Sequence, residues 1–301
     1  EKLIGIPISI NEAQKILLSL GFKAKKGKKE LKVEIPLWRP DITQDVDLIE
    51  ESITERTKAI IPVHLTGTMP NMNRISEISN RYGLRIIEDA CQSILASFDG
   101  EKAGTWGDAA AFSFHPLKNL NVWGDGGMIV TNDNTVADRI RLFRNNGIRD
   151  RDEVEVLGYN SRLDSIQAVV ANCLLPQAAS DTEKRIENAR YYDEALIEIP
   201  QIKIPDRSKS VKQVYHIYQI RVTNRDQCVK YCLDRGIEIK IHYPIPLYRQ
   251  KALEYLGYET GQFPVTECHS KEVISLPVDQ YITQTEQDIV IDTIKEFYTN
   301  N

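Results

Sequence analysis

The sequence predicts an α/β protein with a mostly parallel sheet, followed by a smaller α+β domain and preceded by a small α+β unit. Three observations predict it. Between residues 58 and 145, apolar strand-like runs alternate with amphipathic helical stretches. After Gly147 the texture changes to long charged helices and half-exposed strands. The first fifty residues carry their own helix and strand pattern, broken by Pro36 and Pro40.

In the amino-terminal unit, Ile10, Ala13, Ile16, Leu17 and Leu20 recur at helical spacing, with Asn11 near the start and Gly21 as a stop. Leu31, Val33 and Ile35 alternate as a strand does. Six lysines crowd residues 23–32, which reads as a solvated hairpin turn. Residues 45–53 open another helix. In the second region, residues 59–63 form a continuous apolar run suited to a strand buried on both faces. Residues 73–82 are an amphipathic helix ending at Gly83. Residues 84–87, 109–114 and 128–130 are further strands, and Asn132, Asp133 and Asn134 cap a helix reaching about Asn145. In the third region, residues 183–197, 226–235 and 286–298 read as helices. Residues 215–222 and 237–241 read as strands.

Of the 301 residues, 42% are hydrophobic and 27% charged, with a net charge of −5. That acidic balance argues against nucleic acid or an anionic membrane surface as the main partner. No apolar run reaches membrane length. The five cysteines, at 91, 173, 228, 232 and 268, show no disulfide framework, and Cys228 with Cys232 lacks the second pair of a zinc site. They read as free thiols in a reducing, cytoplasmic setting.

Glu88 and Asp89 follow directly on an apolar strand, and the carboxyl ends of strands are where open α/β sheets bind ligands. Lys118 follows the next strand and precedes the glycine-rich turn of Gly124, Gly126 and Gly127. A lysine amine can form a Schiff base with an aldehyde and then move a proton. A carboxylate can pair with a protonated pyridine nitrogen. A serine hydroxyl such as that of Ser113 can donate to phosphate. Singly, each has an ordinary alternative: a surface lysine, a capping aspartate, a small core serine. His64 and His115 read as core histidines, and Trp106 and Trp123 as packing residues.

Several motifs occur in order and at characteristic spacing. They are Val63-His64-Leu65-Thr66-Gly67, Glu88-Asp89-Ala90-Cys91-Gln92, residues 107–114, Lys118-Asn119, Gly124-Asp125-Gly126-Gly127 and Gly158-Tyr159-Asn160 with the four residues after it. Together with His242-Tyr243-Pro244 and Phe263-Pro264-Val265 they resemble the DegT/DnrJ/EryC/StrS aminotransferases of nucleotide-linked keto-sugars, from about residue 49 to the end. The resemblance implies an aminotransferase-like large domain of fold type I and pyridoxal phosphate as cofactor. It implies that Lys118 anchors the cofactor and shuttles the proton, Asp89 meets the pyridine nitrogen, Gln92 sits against the ring or its hydroxyl, and Ser113 contacts the phosphate. Asn160 would reach the phosphate of a neighbouring subunit, making a homodimer the working unit. His242 and Tyr243 would line the substrate pocket, and glutamate would be the amino donor. Because the related dehydratases carry histidine in place of the lysine, Lys118 implies transamination.

Family members carry roughly a hundred residues ahead of Ile49, including a phosphate-holding turn at a helix start, and no such turn is found in residues 1–51. Instead, Leu20-Gly21-Phe22, Ile35-Pro36, Trp38-Arg39, Asp41-Ile42 and residues 47–51 resemble a small domain of the beta subunit of bacterial phenylalanyl-tRNA synthetase. That resemblance implies a magnesium site at Asp41, Asp47, Glu50 and Glu51, whose last three members share a helical face. The chain therefore reads as a chimera of these two resemblances, laid out as a synthetase-like domain at 1–51, a cofactor-binding large domain lacking its opening part at 52–180, and a small domain at 181–301. The alternative to catalysis is an inactive chain that acts in binding or assembly.

Overall fold

The computed structural model describes residues 53–300, together with Lys15 and the backbone of two paired strands near the amino end. Those strands, β1 (Lys23–Lys26) and β2 (Leu31–Glu34), form the antiparallel hairpin expected of the lysine-rich segment. Lys15 is helical and Ile53 is not; the rest of the helices expected at 10–20 and 45–53, and the four carboxylates of the expected magnesium site, lie outside the described residues.

A four-stranded sheet organises the second region, in the order β3 (Ala59–Ile60), β4 (Arg85–Asp89), β7 (Ala109–Ser113), β8 (Gly127–Val130). The first three strands run parallel, and β8 returns antiparallel. Helix α1 (Met72–Tyr82) connects β3 to β4. Asn71 caps it by accepting from Arg74 N–H, and Gly83 ends it in the left-handed region at φ 62°. Met72, Ile75 and Ile78 face inward at helical spacing. Met72 and Ile75 pack with Ile86, Ala110, Phe112 and Phe98 into one apolar core. Helix α2 (Asn134–Arg144) follows β8, and Asp133 caps it as its sequence anticipates.

This sheet is covered on one face only among the described residues. Along β4, Ile86 and Glu88 are buried, while Ile87 between them is 41% exposed. Ile61 is 53% and Ile129 52% exposed. The run at 59–63 is therefore not buried on both faces, and only Ala59–Ile60 forms a regular strand. Val63 adds an isolated parallel bridge to Asp89.

Two helices carry the chain onward: α3 (Ser165–Leu174) and, after a 3-10 turn, α4 (Ala178–Leu196). The helix expected at 183 thus begins earlier. The third region has a second core, built from a three-stranded sheet of β11 (Ile202–Lys203), β13 (Tyr218–Val222) and β14 (Val273–Leu276). Helices α4, α5 (Arg225–Leu233) and α7 (Gln284–Thr299) supply Tyr192, Leu196, Cys228, Ile294 and Phe297 to that core. The remaining helix, α6 (Pro264–Glu272), leads into β14. The expected strand at 237–241 is only a bridge from Lys240 to Ser275, on the edge of β14 opposite β13. One piece of this region returns to the first: β12 (Val211–Lys212) pairs with β5 (Ser97–Phe98), which in turn pairs with β6 (Glu101–Lys102). Val214 packs in the first core.

Candidate active site

Strand β4 sends two consecutive carboxylates to opposite faces. Glu88 turns into the covered face and is fully buried. It accepts from Gly104 N–H at 2.8 Å, Trp106 N–H at 2.8 Å and Gly107 N–H at 2.9 Å, and it meets His64 Nε2 at 2.8 Å. Burial pushes its carboxyl upward, but the bonds from His64 and the three backbone amides prevail and hold it below the usual carboxylate value. His64 is buried as expected, although its Nδ1 has no partner among the described residues.

Asp89 turns to the open face. Its backbone is fixed on both sides, with its N–H donating to Pro62 O at 3.0 Å and its carbonyl accepting from His64 N–H at 3.0 Å. Its Oδ1 accepts from Cys91 N–H at 3.2 Å. The Cys91 thiol is pushed up to about 11 by burial and by Asp89, so it stays protonated at neutral pH.

Lys118 sits in a tightly bonded loop beyond β7. Phe114 N–H donates to Gly126 O at 2.8 Å, and Lys118 N–H donates to His115 O at 2.8 Å. Asn119 Nδ2 donates to Val214 O at 2.9 Å, tying the loop to the carboxyl-terminal region. Half-burial lowers the Lys118 ammonium below the ordinary lysine value, while Cys91 and Asp89 pull it back up. The structure thus brings Lys118, Asp89 and Cys91 into one electrostatic neighbourhood. Gly126 serves packing here: a Cβ on it would lie 2.8 Å from both Leu163 Cδ1 and Val122 Cγ2.

The other expected residues divide. Ser113 stands at the end of β7, where its Oγ accepts from His115 N–H at 3.3 Å. Gln92 Oε1 accepts from Thr66 N–H at 2.6 Å, which braces the loop after β3. Gly67 in that loop has φ +95°, and a Cβ there would meet Val214, Gln92 and His216 within 3.1 Å. Asn160 is exposed and pairs through its backbone with Asn145, apart from Lys118 in hydrogen bonding. His242 lies at the edge of the second core, its Nδ1 2.8 Å from Ser275 Oγ, and burial lowers it below the usual histidine value. Tyr243 is exposed, its ring edge-on to His242 at 5.5 Å. Two packing expectations are corrected. His115 is half-exposed rather than in the core, because its loop lies on the open side. Trp123 is 72% exposed, whereas Trp106 packs edge-on against Phe98 as expected.

Two residues that sequence spacing did not mark lie side by side, and one of them, His216, feels the charge of the lysine. His216 is held to about 3 by burial and then by Lys118, Arg185, His242 and His115. Arg185 donates from Nη1 to the carbonyl of Tyr215, the neighbour of His216, at 3.2 Å. Neither belongs to a motif of recognisable spacing, and only the fold assembles them.

The residues present suit pyridoxal phosphate. A lysine with a lowered ammonium, a carboxylate open at a strand end and a serine hydroxyl one strand away form the donor set that an aldehyde-bearing pyridine ring requires. No group of three or more potential metal ligands occurs among the described residues. No helix among them is long and apolar enough to cross a membrane. The five cysteines are free.

The profile of the DegT/DnrJ/EryC1/StrS aminotransferase family matches residues 33–295, and that of the tRNA synthetase B5 domain matches residues 1–53. The first match reaches further back than residue 49, so the two overlap. A pleiotropic regulatory protein of Geobacillus stearothermophilus is 39% identical over 293 residues, covering 96% of this chain and 78% of that protein. The dTDP-3-amino-3,4,6-trideoxy-alpha-D-glucose transaminase of Streptomyces venezuelae is 36% identical, covering 85% of this chain and 67% of the relative. The crystal structure of S. venezuelae DesV in complex with a ketimine intermediate superposes with a TM-score of 0.82 at 36% identity. That match covers 84% of this chain and 68% of the other.

Proposed function

The chain belongs to the DegT/DnrJ/EryC1/StrS aminotransferase family, and from that premise we propose that it transfers an amino group from glutamate to a nucleotide-linked keto-sugar. The observation that carries this reading is Lys118, its ammonium lowered, in the same neighbourhood as the open carboxylate of Asp89. When bound, pyridoxal phosphate supplies an electron sink that weakens bonds at the carbon bearing the amine.

The protein's own groups do the rest. Lys118, more easily neutral than a free lysine, takes a proton from the substrate carbon side and returns it. The Asp89 carboxylate would face the ring nitrogen and hold its proton. The strand bonds to Pro62 and His64 hold it in place without reorganisation. Ser113, whose Oγ accepts from His115 N–H, would donate its proton to the phosphate, and Gln92 braces the loop after β3 that would lie beside the ring. Asn160, exposed in this chain, would reach the phosphate held by a second copy, so that a homodimer would be the working unit. His242 and Tyr243 line the sugar side. The magnesium expectation at Asp41, Asp47, Glu50 and Glu51 has no part in this chemistry.

One observation favours a second reading, that the chain acts in binding without catalysis. The sheet face bearing Asp89 also exposes Ile61, Ile87 and Ile129. A cofactor site with an uncovered wall loses ligand to water. The two readings separate in one titration. Pyridoxal phosphate is added to the purified protein, the visible absorbance is followed, and the sample is reduced with borohydride and peptide-mapped. An adduct at Lys118, followed by glutamate-dependent amination of dTDP- or UDP-linked keto-sugars, is the expected result. A folded protein that forms no adduct overturns the catalytic reading and leaves the binding one.

A further inference from the structure

Arg185, near the start of α4, is 8% exposed. Its bonds go to neutral acceptors only: Nε donates to Gln280 Oε1 at 3.1 Å and Nη1 to Tyr215 O at 3.2 Å. Among the described residues no carboxylate stands within 4.0 Å of it, and Asp279 and Asp181 act on it from farther away. A buried guanidinium without a close counter-ion is costly, and an anion brought to it is bound strongly.

Beside it lies His216, whose Nδ1 is buried and has no hydrogen-bond partner. Its ring is kept neutral first by burial and then by the charges of Lys118 and Arg185, with smaller contributions in the same direction from His242 and His115. The backbone on both sides of His216 is pinned. Val214 N–H donates to Gly67 O at 2.9 Å, Ile217 N–H to Thr66 O at 3.4 Å, and Asn119 Nδ2 to Val214 O at 2.9 Å. The segment is thereby fixed between the loop braced by Gln92 and the residue after Lys118.

We propose that Arg185 and His216 form an oxyanion pocket beside Lys118 that binds a carboxylate group of the amino donor. In the tautomer with its proton on Nδ1, His216 donates to that carboxylate, and Arg185 balances its charge. The assignment rests on the transaminase reading. A nucleotide diphosphate offers the same oxygen chemistry, but one buried guanidinium and one neutral imidazole match a single negative charge better than a diphosphate.

The test uses glutarate, a dicarboxylate with no amine to react, titrated calorimetrically into the protein with and without pyridoxal phosphate. Arg185→Gln is expected to weaken glutarate about tenfold or more, and His216→Gln about three- to tenfold, as befits the loss of a charged and a neutral hydrogen bond. Inorganic phosphate at the same concentrations is expected to bind less tightly than glutarate. Circular dichroism checks that each variant is folded. Glutarate affinity unchanged within about twofold in folded variants overturns the pocket. Phosphate binding that depends on Arg185 while glutarate binding does not overturns the carboxylate assignment. If Arg185→Gln does not fold, His216→Gln decides alone by the same criterion. The absorbance of the Lys118 adduct, read in the same samples, reports separately on the transaminase reading. The cofactor-free titration tests the pocket whether or not that adduct forms.

Discussion

Glu88 and Asp89 are neighbours of like chemistry, yet the two faces of β4 give them opposite tasks. On the covered face, Glu88 is closed off by His64 and three backbone amides and has no opening to a ligand. On the open face, Asp89 shares one oxygen with a local amide and faces the same neighbourhood as Lys118. The covered face also buries Ile86, Ala110 and Phe112, while the open face leaves Ile87 and Ile129 accessible. A single strand thus separates a structural wall from a reactive one, and the strand period of two sets the division.

Substitutions can sharpen or break this contrast. The largest effect is expected at Lys118. Lys118→Ala is expected to abolish the reducible adduct and to lower transamination about 10⁴-fold, with melting unchanged. In the unaltered protein, adduct formation is expected to plateau at lower pH than for a free lysine amine, because burial lowers the Lys118 ammonium. A plateau at the free-amine pH would show that the site does not desolvate it.

Next comes the closed carboxylate. Glu88→Ala is expected to cost about 3–5 kcal/mol in urea unfolding, since it strands His64 and three amides in the core. Glu88 also makes stability depend on acid. Its folded value is depressed below 4.5, so its contribution is complete above that pH and is lost as pH falls through the lower folded value. A Glu88→Gln variant whose melting shows the same acid loss would assign that loss to other groups.

The third comparison is apolar. Ile86→Ala is expected to cost about 2–5 kcal/mol, whereas Ile87→Ala costs less than about 1 kcal/mol. Equal costs would mean that the open face is covered in solution.

The smallest stability effect is expected at Asp89. Asp89→Asn changes unfolding by no more than about 0.5 kcal/mol. It weakens cofactor retention about tenfold or more, measured by dialysis against the absorbance of the adduct. A large loss of stability with unchanged cofactor retention would give Asp89 the structural role instead.

The sequence alone determined the elements whose signals are local. The apolar face and glycine stop of α1, the Asp133 cap of α2 and the strands that deliver Asp89 and Lys118 all follow from periodicity and capping within a dozen residues. Helix α3 escaped notice because its segment is apolar with little periodicity, which leaves no face to read. The expected strand at 237–241 is reduced to a single bridge on the outer edge of β14, an extent of pairing that no local pattern encodes. The motif residues Asp89, Ser113 and Lys118 were legible as candidates, and only the family resemblance, not their spacing, implied that they meet. That meeting depends on parallel pairing of β4 with β7, which joins positions more than twenty residues apart. Tertiary structure alone decided that Glu88 is closed and Asp89 open, that Val211–Lys212 returns to Ser97–Phe98, and that His216 lies within the electrostatic influence of both Lys118 and Arg185. Such placements depend on burial and on charges brought together across the fold, and neither has a period along the chain.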